Sequence, residues 1–191
     1  MNYNASFFRA LVAEKLPYER FKHTIGVEVW ARELARRFGL DQEAACLAAL
    51  THDMAKQFSL EDQVVKAKEW NLIYYSEDLD NPQVIHGRLA AYQLENEYQI
   101  KNRDILNAVA NHTLGRPNMS PLEMLIYSAD LTEPGRDFPG VDKLRRKLYY
   151  DLNKGTLACL EHTVQYLKKS NQGIHPLTLL TYNDLKNRLS E

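Results

Sequence analysis

The run Ala44-Ala45-Cys46-Leu47-Ala48-Ala49-Leu50-Thr51-His52-Asp53 narrows what this chain can fold into more than any other stretch. Its spacing reads as one apolar, alanine-rich helix with His52 and Asp53 inside it, His52 on the face of Ala45, Ala48, Ala49 and Lys56. Side chains this small let neighbouring helices approach until groups from several of them meet. A carboxylate buried beside an imidazole is costly unless a partner compensates it. Where further histidines stand on other helices, the usual partner is a metal ion.

Apolar residues recur at helical rather than alternating spacing almost throughout, so the expected fold is all-α, a single-domain helical bundle. Pro17 to Gly39 reads as one long helix, and Asp41 as the cap of the helix carrying His52 and Asp53. Ser59 opens another helix, and one from about Gln83 to Tyr98 carries His86. The next, from about Asn102, ends at His112, and Ser120-Pro121 restarts a helix that contains Asp130. Glu133-Pro134-Gly135-Arg136-Asp137-Phe138-Pro139-Gly140 cannot be regular structure, since its two prolines and two glycines remove backbone donors and stiffness; it reads as a functional loop. Val141 to about Ser170 reads as a long helix broken near Gly155, followed by a stop at Gly173-Ile174-His175-Pro176 and a last helix to Leu189.

A chain of 191 residues suits one well-buried core better than two domains. Lys and Arg number 24 against 25 Asp and Glu, and no basic stripe interleaved with aromatics offers a track for a polynucleotide. No stretch reaches bilayer length, and Met1-Asn2-Tyr3-Asn4-Ala5-Ser6 lacks the layout of a leader, so the expected setting is the cytoplasm, without a membrane partner. Cys46 and Cys159 have no paired spacing and read as buried free thiols. The oligomeric state stays open, a homodimer included.

His23 shares a helical face with Val27, Trp30 and Leu34, and Asp130 lies on the side of Ile126 and Tyr127. Taken singly, each reads equally well as a hydrogen-bonded core group. Together they give a bundle in which several helices each present an inward His or Asp, the arrangement in which such groups converge on one ion. The donors are nitrogen and carboxylate without thiolate, which suits iron, manganese, zinc, cobalt or nickel. Lys56, one turn after His52, can reach a phosphate held at the ion; a solvated lysine at a helix end is the plainer reading. Arg116 and Arg136, each in a Gly/Pro-rich loop after a candidate metal-site helix, suit bidentate phosphate contact as well as plain solvation. Glu133 reads either as support for the site or as an ordinary capping carboxylate.

The ordered set His23, His52-Asp53 and Asp130 resembles the HD-domain superfamily of metal-dependent phosphohydrolases. Arg20-Phe21-Lys22-His23-Thr24, His52-Asp53-Met54-Ala55-Lys56, Ile85-His86-Gly87, Asn111-His112-Thr113-Leu114-Gly115-Arg116-Pro117, Ala129-Asp130-Leu131-Thr132-Glu133-Pro134-Gly135-Arg136 and Gly173-Ile174-His175-Pro176 are similar to its bacterial symmetrical diadenosine tetraphosphatases, the YqeK family. Thr51 and Ala90-Ala91 depart from that pattern without touching a candidate ligand. The resemblance implies one domain over 1–191, with an HD core at about 18–135 and helices over 141–191 completing a nucleotide site. It implies His23, His52, Asp53 and Asp130 as ligands of iron or another divalent transition metal, one ion being favoured over two. His86 and His112 then either hold a second ion bridged by Asp53 or contact phosphate. By the same resemblance Asp53 and Lys56 serve catalysis, and Lys56, His86, His112, Thr113, Arg116, Arg136, His175 and Thr178 contact substrate. The implied reaction is cleavage of diadenosine tetraphosphate, a small dinucleoside polyphosphate, into two ADP. An HD nucleotidase or a hydrolase of a signalling nucleotide would share the metal centre, and a non-catalytic sensor would bind metal and nucleotide without turnover. The residues by themselves go no further than metal-assisted hydrolysis of a phosphoester or phosphoanhydride.

Overall fold

In the computed structural model, which describes residues 4–190, every regular element is helical. Met1, Asn2 and Tyr3, half of the stretch read as lacking a leader, lie outside the described residues. After α1 (Ala5–Lys15), α2 (Tyr18–Phe38) starts at Pro17 and stops at Gly39, whose φ of 67° lies in the left-handed region that glycine enters without strain. Asp41 caps α3 (Gln42–Thr51) by accepting from the N–H groups of Glu43 and Ala44. Then come α4 (Leu60–Glu69), the short α5 (Glu77–Asp80), α6 (His86–Asn96) and α7 (Arg103–Asn111). A reciprocal capping box between Ser120 and Glu123 opens α8 (Pro121–Thr132), and α9 (Val141–Tyr150), α10 (Leu152–Lys169) and α11 (Pro176–Arg188) complete the chain.

Every residue of α3 from Ala44 to Thr51 is buried, and α1, α2, α7 and α8 all pack on it. Four alanines make this crowding feasible. The bulk of the core comes from the partners, through Leu34, Ile105, Leu125 and Ile126, each contributing about 1.5–3 kcal/mol on burial. The last three helices close the bundle: α9 and α10 pack on α8, and α11 on α10. Among the described residues no helix is long and apolar enough to cross a membrane, and Cys46 and Cys159 are free and buried.

Three expectations are corrected, and a fourth finding adds an element to them. First, α3 ends at Thr51, so His52 is its C-cap, and Asp53 leads into a tight turn of 3-10 helix at Met54–Gln57 that carries Lys56. The dyad therefore sits at a helix end. Second, α6 begins at His86, because Pro82–Val84 forms its own 3-10 turn. Third, the break expected near Gly155 falls at Asp151, which turns extended and caps α10 by accepting from the N–H of Lys154. Gly155 is where α10 crosses α9, and a Cβ there would overlap the Leu148 Cα. Fourth, α1 went unassigned in the sequence; with only Phe8 and Val12 buried, it carries little helical signal.

A buried ion pair ties α5, α6 and the start of α11 together. Arg88 grips Asp78 with both guanidinium nitrogens, at 2.6 and 2.8 Å, and His175 Nε2 lies 3.2 Å from Asp78 Oδ1. Burial alone would raise the Asp78 carboxyl; the Arg88 guanidinium and the N–H groups of Tyr75 and Tyr74 outweigh it, so its pKa falls from 3.8 to about 2. A carboxyl whose folded pKa is depressed contributes stability that is complete above its unfolded pKa and is lost as pH falls toward the folded value. The denaturation midpoint should therefore fall more steeply between pH 4 and about 2 in the wild type than in Asp78→Asn, which lacks the titration; parallel curves would show that the pair is uncoupled from folding. Gly155→Ala should cost about 3 kcal/mol by forcing α9 and α10 apart. Gly39→Ala, which meets nothing within 4 Å, should cost only the backbone strain of about 1 kcal/mol.

Candidate metal centre

His52 and His112 stand at helix C-termini and His86 just after the 3-10 turn Pro82–Val84, where main-chain carbonyls lack partners within the helix. His52 Nδ1 lies 2.6 Å from the Ala49 carbonyl, His86 Nδ1 2.7 Å from that of Gln83, and His112 Nδ1 2.7 Å from that of Val109. A carbonyl can only accept, so in each ring Nδ1 carries a proton, and in a neutral ring Nε2 presents a lone pair. His23 on α2 is fixed in the same sense by a carboxylate, its Nδ1 lying 3.2 Å from Glu133 Oε1. Glu133 reaches that ring because residue 26 is glycine: a Cβ at Gly26 would overlap Glu133 Oε2.

The lone pairs converge. His23 Nε2 is 2.9 Å from Asp130 Oδ1, His86 Nε2 is 2.9 Å from His112 Nε2 and 3.0 Å from Asp53 Oδ1, and His52 Nε2 is 3.6 Å from Asp53 Oδ2. Acceptors facing acceptors at such distances repel unless a cation lies among them. Two ligands at right angles on one ion, each about 2.1 Å from it, would lie about 3.0 Å apart, close to the spacing of His23 Nε2 from Asp130 Oδ1. His52 Nε2 is buried and has no hydrogen-bond partner. Burial pushes the His52 imidazole below its ordinary pKa, and burial together with His86 and His52 pushes His112 well below, so both rings stay neutral and able to ligate. Burial would raise the Asp53 carboxyl, but the Lys56 ammonium 3.0 Å from Oδ1 is among the groups that outweigh it and hold it well below the usual range. Two overlapping groups, His23-His52-Asp130 and His52-Asp53-His112, can each hold a metal ion. Neutral imidazoles and ionised carboxylates without thiolate suit a first-row transition ion.

Three cations ring the cluster. Arg20 donates to Asp53 Oδ2 at 2.9 Å, Lys56 Nζ lies 3.0 Å from Asp53 Oδ1, and Arg136 donates to Asp130 Oδ1 at 2.9 Å and to the Asp130 carbonyl at 3.1 Å. Arg145 of α9 donates to the carbonyls of Thr132, Glu133 and Arg136, pinning the loop that carries two of the site's groups. Arg20 and Arg145 have no assigned role in the sequence reading. Arg20 had a signal, since it precedes His23 by three residues and so shares its helix face; Arg145 had none.

A cavity of about 590 Å³ opens on the His86 side. Arg20, Lys56, His86 and Thr113 line its inner end, and His175 and Thr178 of α11, with Thr163 and Leu167 of α10, form an outer wall. Thr113 Oγ1 is 3.2 Å from His112 Nε2. Arg116 is not brought here. Its guanidinium is spent on Glu123 at 2.6 and 2.7 Å, and it faces a separate groove beside Tyr74 and Arg88, so the expected phosphate contact has no support in the geometry.

Residues 20–135 match the HD domain family model. The chain belongs to the HD-domain family. It is 41% identical over 179 residues to a symmetrical bis(5'-nucleosyl)-tetraphosphatase of Halalkalibacterium halodurans, covering 92% of this chain and 93% of that one. A Bacillus subtilis protein of the same name is 41% identical over 175 residues, 91% of this chain and 93% of that one. The crystal structure of a protein from Clostridium acetobutylicum, described as a predicted HD superfamily hydrolase involved in NAD metabolism, superposes with a TM-score of 0.92 at 34% identity, covering 98% of this chain and 100% of that one. The match to the HD model stops at residue 135, before α9 begins, so the Arg145 tether and the α10–α11 wall of the cavity come from outside the matched segment.

Gly26→Ala tests how this HD centre is assembled. Displacing Glu133 should free the His23 ring and weaken metal binding about 10- to 100-fold, with the helical content unchanged. Metal affinity equal to that of the wild type, measured by competition with a chelator, would show that Glu133 does not orient His23.

Proposed function

We propose that this HD-domain protein hydrolyses diadenosine tetraphosphate symmetrically to two ADP, using one divalent transition ion, in the first place iron, held by His23, His52, Asp53 and Asp130. The observation that carries the reading is the convergence of Nε2 atoms and two carboxylates beside a cavity, lined by His86 and Lys56, large enough for a nucleotide. Relatives that align over nine-tenths of their length and bear the tetraphosphatase name support the choice of substrate. The proposed domain is the whole chain, with an HD core over about 18–135 and the helices of 141–191 completing the nucleotide site. Buried free thiols agree with a cytoplasmic setting.

An ion at these ligands supplies Lewis-acid polarisation of a phosphoryl oxygen and lowers the pKa of a water toward about 7. The protein's own groups do the rest. In this reading the four protein ligands leave room on the ion for water and phosphate, and His86, which lines the cavity, would donate from Nε2 to a phosphate oxygen. Lys56, Arg20 and Arg136 are the cations nearest the cluster and neutralise the phosphates on either side of the scissile bond. His175 and Thr178 contact the nucleotide from the outer wall. Water adds its oxygen to one central phosphorus, the bridging P–O bond breaks, the departing ADP keeps the bridging oxygen, and the water's protons pass to solvent.

Metal-loaded protein should convert diadenosine tetraphosphate to ADP alone, and heavy-oxygen water should label a terminal phosphate of ADP. ATP with AMP would mean an asymmetric cut, and no turnover of this compound beside turnover of other nucleotides would mean a nucleotidase. Arg136→Ala should lose about 30-fold in kcat/KM, on the order of 2 kcal/mol of transition-state stabilisation.

Ion count is separable from activity. Elemental analysis should find about one ion per chain, unchanged in His86→Ala and lost in Asp53→Ala. A metal content halved by His86→Ala would establish two ions bridged by Asp53 instead.

A further inference from the structure

The cluster is open at a second end. Besides the cavity beside His86, a groove of about 470 Å³ reaches His23, and Arg20 lines both. Their walls differ in kind. The first has Phe58, Leu60, Leu114 and Leu167, apolar surface that can cover a base. Apart from the His23 imidazole the second has no aromatic or branched aliphatic side chain: Gly26, Pro134 and Gly135 form part of its surface, together with charged side chains of both signs.

Cleavage at the centre of a four-phosphate chain requires the scissile bond at the cluster and two phosphates on each side of it. We infer that the His23 groove is the subsite for the departing half of the substrate, recognising its two phosphates by charge and leaving the group beyond them unread. The inference rests on the function proposed above and extends it to substrate class. Lys22 is exposed and makes no ion pair among the described residues, so its ammonium is free for an anion. Two carboxylates also line the groove. Both Glu133 oxygens are engaged, by His23 Nδ1 and by the N–H of Gly135, whereas Glu19 stands exposed. Arg20 and Arg136 are paired with Asp53 and Asp130 here; once those carboxylates take the ion, the two guanidinium groups join Lys22 against Glu19 and an already satisfied Glu133, which leaves the groove favourable to phosphate. The enzyme thus reads one nucleoside, in the His86 cavity, and a polyphosphate, in the His23 groove. Nucleoside 5'-tetraphosphates become substrates: adenosine 5'-tetraphosphate should yield ADP and pyrophosphate by the same central cut.

The test uses wild-type, metal-loaded protein with diadenosine tetraphosphate, adenosine 5'-tetraphosphate and uridine 5'-tetraphosphate. The adenosine compound should be cleaved with kcat/KM within about tenfold of the dinucleotide, and the uridine compound, whose smaller base covers less of the apolar wall of the first cavity, more slowly. Lys22→Glu should raise KM for both adenosine substrates about fivefold and leave inhibition by ADP, held in the first cavity, unchanged. Normal cleavage of diadenosine tetraphosphate with rejection of adenosine 5'-tetraphosphate, or an unchanged KM in Lys22→Glu, would overturn the subsite and leave the proposed function intact. Failure of the wild type to make ADP from diadenosine tetraphosphate would overturn both.

Discussion

A hydrogen bond from a histidine Nδ1 to a carbonyl three residues earlier, made three times, is what the rest of this structure depends on. Helix ends leave carbonyls without partners, and an imidazole placed there satisfies one while fixing its own tautomer. The other nitrogen must then face away from the carbonyl, into the space where α2, α3, α6, α7 and α8 bring their polar groups together. His52 at the end of α3, His112 at the end of α7 and His86 after the Pro82–Val84 turn all obey this geometry. The result is a buried knot of lone pairs that only a shared cation reconciles, since burial opposes protonating the rings. The alanines of α3 belong to the same design, because bulkier residues would hold the neighbouring helices too far apart for their side chains to meet.

Charge around the knot is balanced in layers. Asp53 and Asp130 face the imidazoles on one side and Arg20, Lys56 and Arg136 on the other, while Glu133 stands behind His23. In the proposed reaction the carboxylates turn to the ion and the three cations to the phosphates, so the same side chains serve the free and the substrate-bound protein. Arg145 makes this economical. By holding three carbonyls of the 132–136 segment it keeps Arg136 and Glu133 in register without adding a charge to the cavity, which links α9 to the centre that the HD core supplies.

Much of this was legible before any coordinates. Gly39, Asp41 and Ser120 punctuate the chain as capping chemistry requires, and the His and Asp positions stood out because polar residues on apolar helix faces need partners. What stayed hidden depended on distance in space. Arg116 read like Arg136, an arginine in a Gly/Pro loop, yet the Ser120-Glu123 capping box places a buried carboxylate within its reach and removes it from the site. Glu133 stood undecided between cap and support until Gly26, on another helix, proved to make room for it. The break at Asp151 was missed because Gly155 looked like a breaker, when its lack of a Cβ serves the crossing of two helices.

The central claim is that the knot of imidazoles and carboxylates is incomplete without a cation. The most direct measurement is the unfolding free energy of protein stripped by a chelator, compared with the same protein given iron(II), manganese or zinc at constant pH. An ion bound only by the folded state at a hundred times its dissociation constant should add about 2.7 kcal/mol. That gain should be absent with magnesium, which dehydrates reluctantly and prefers oxygen donors. Equal stability of the stripped and loaded protein would contradict the account.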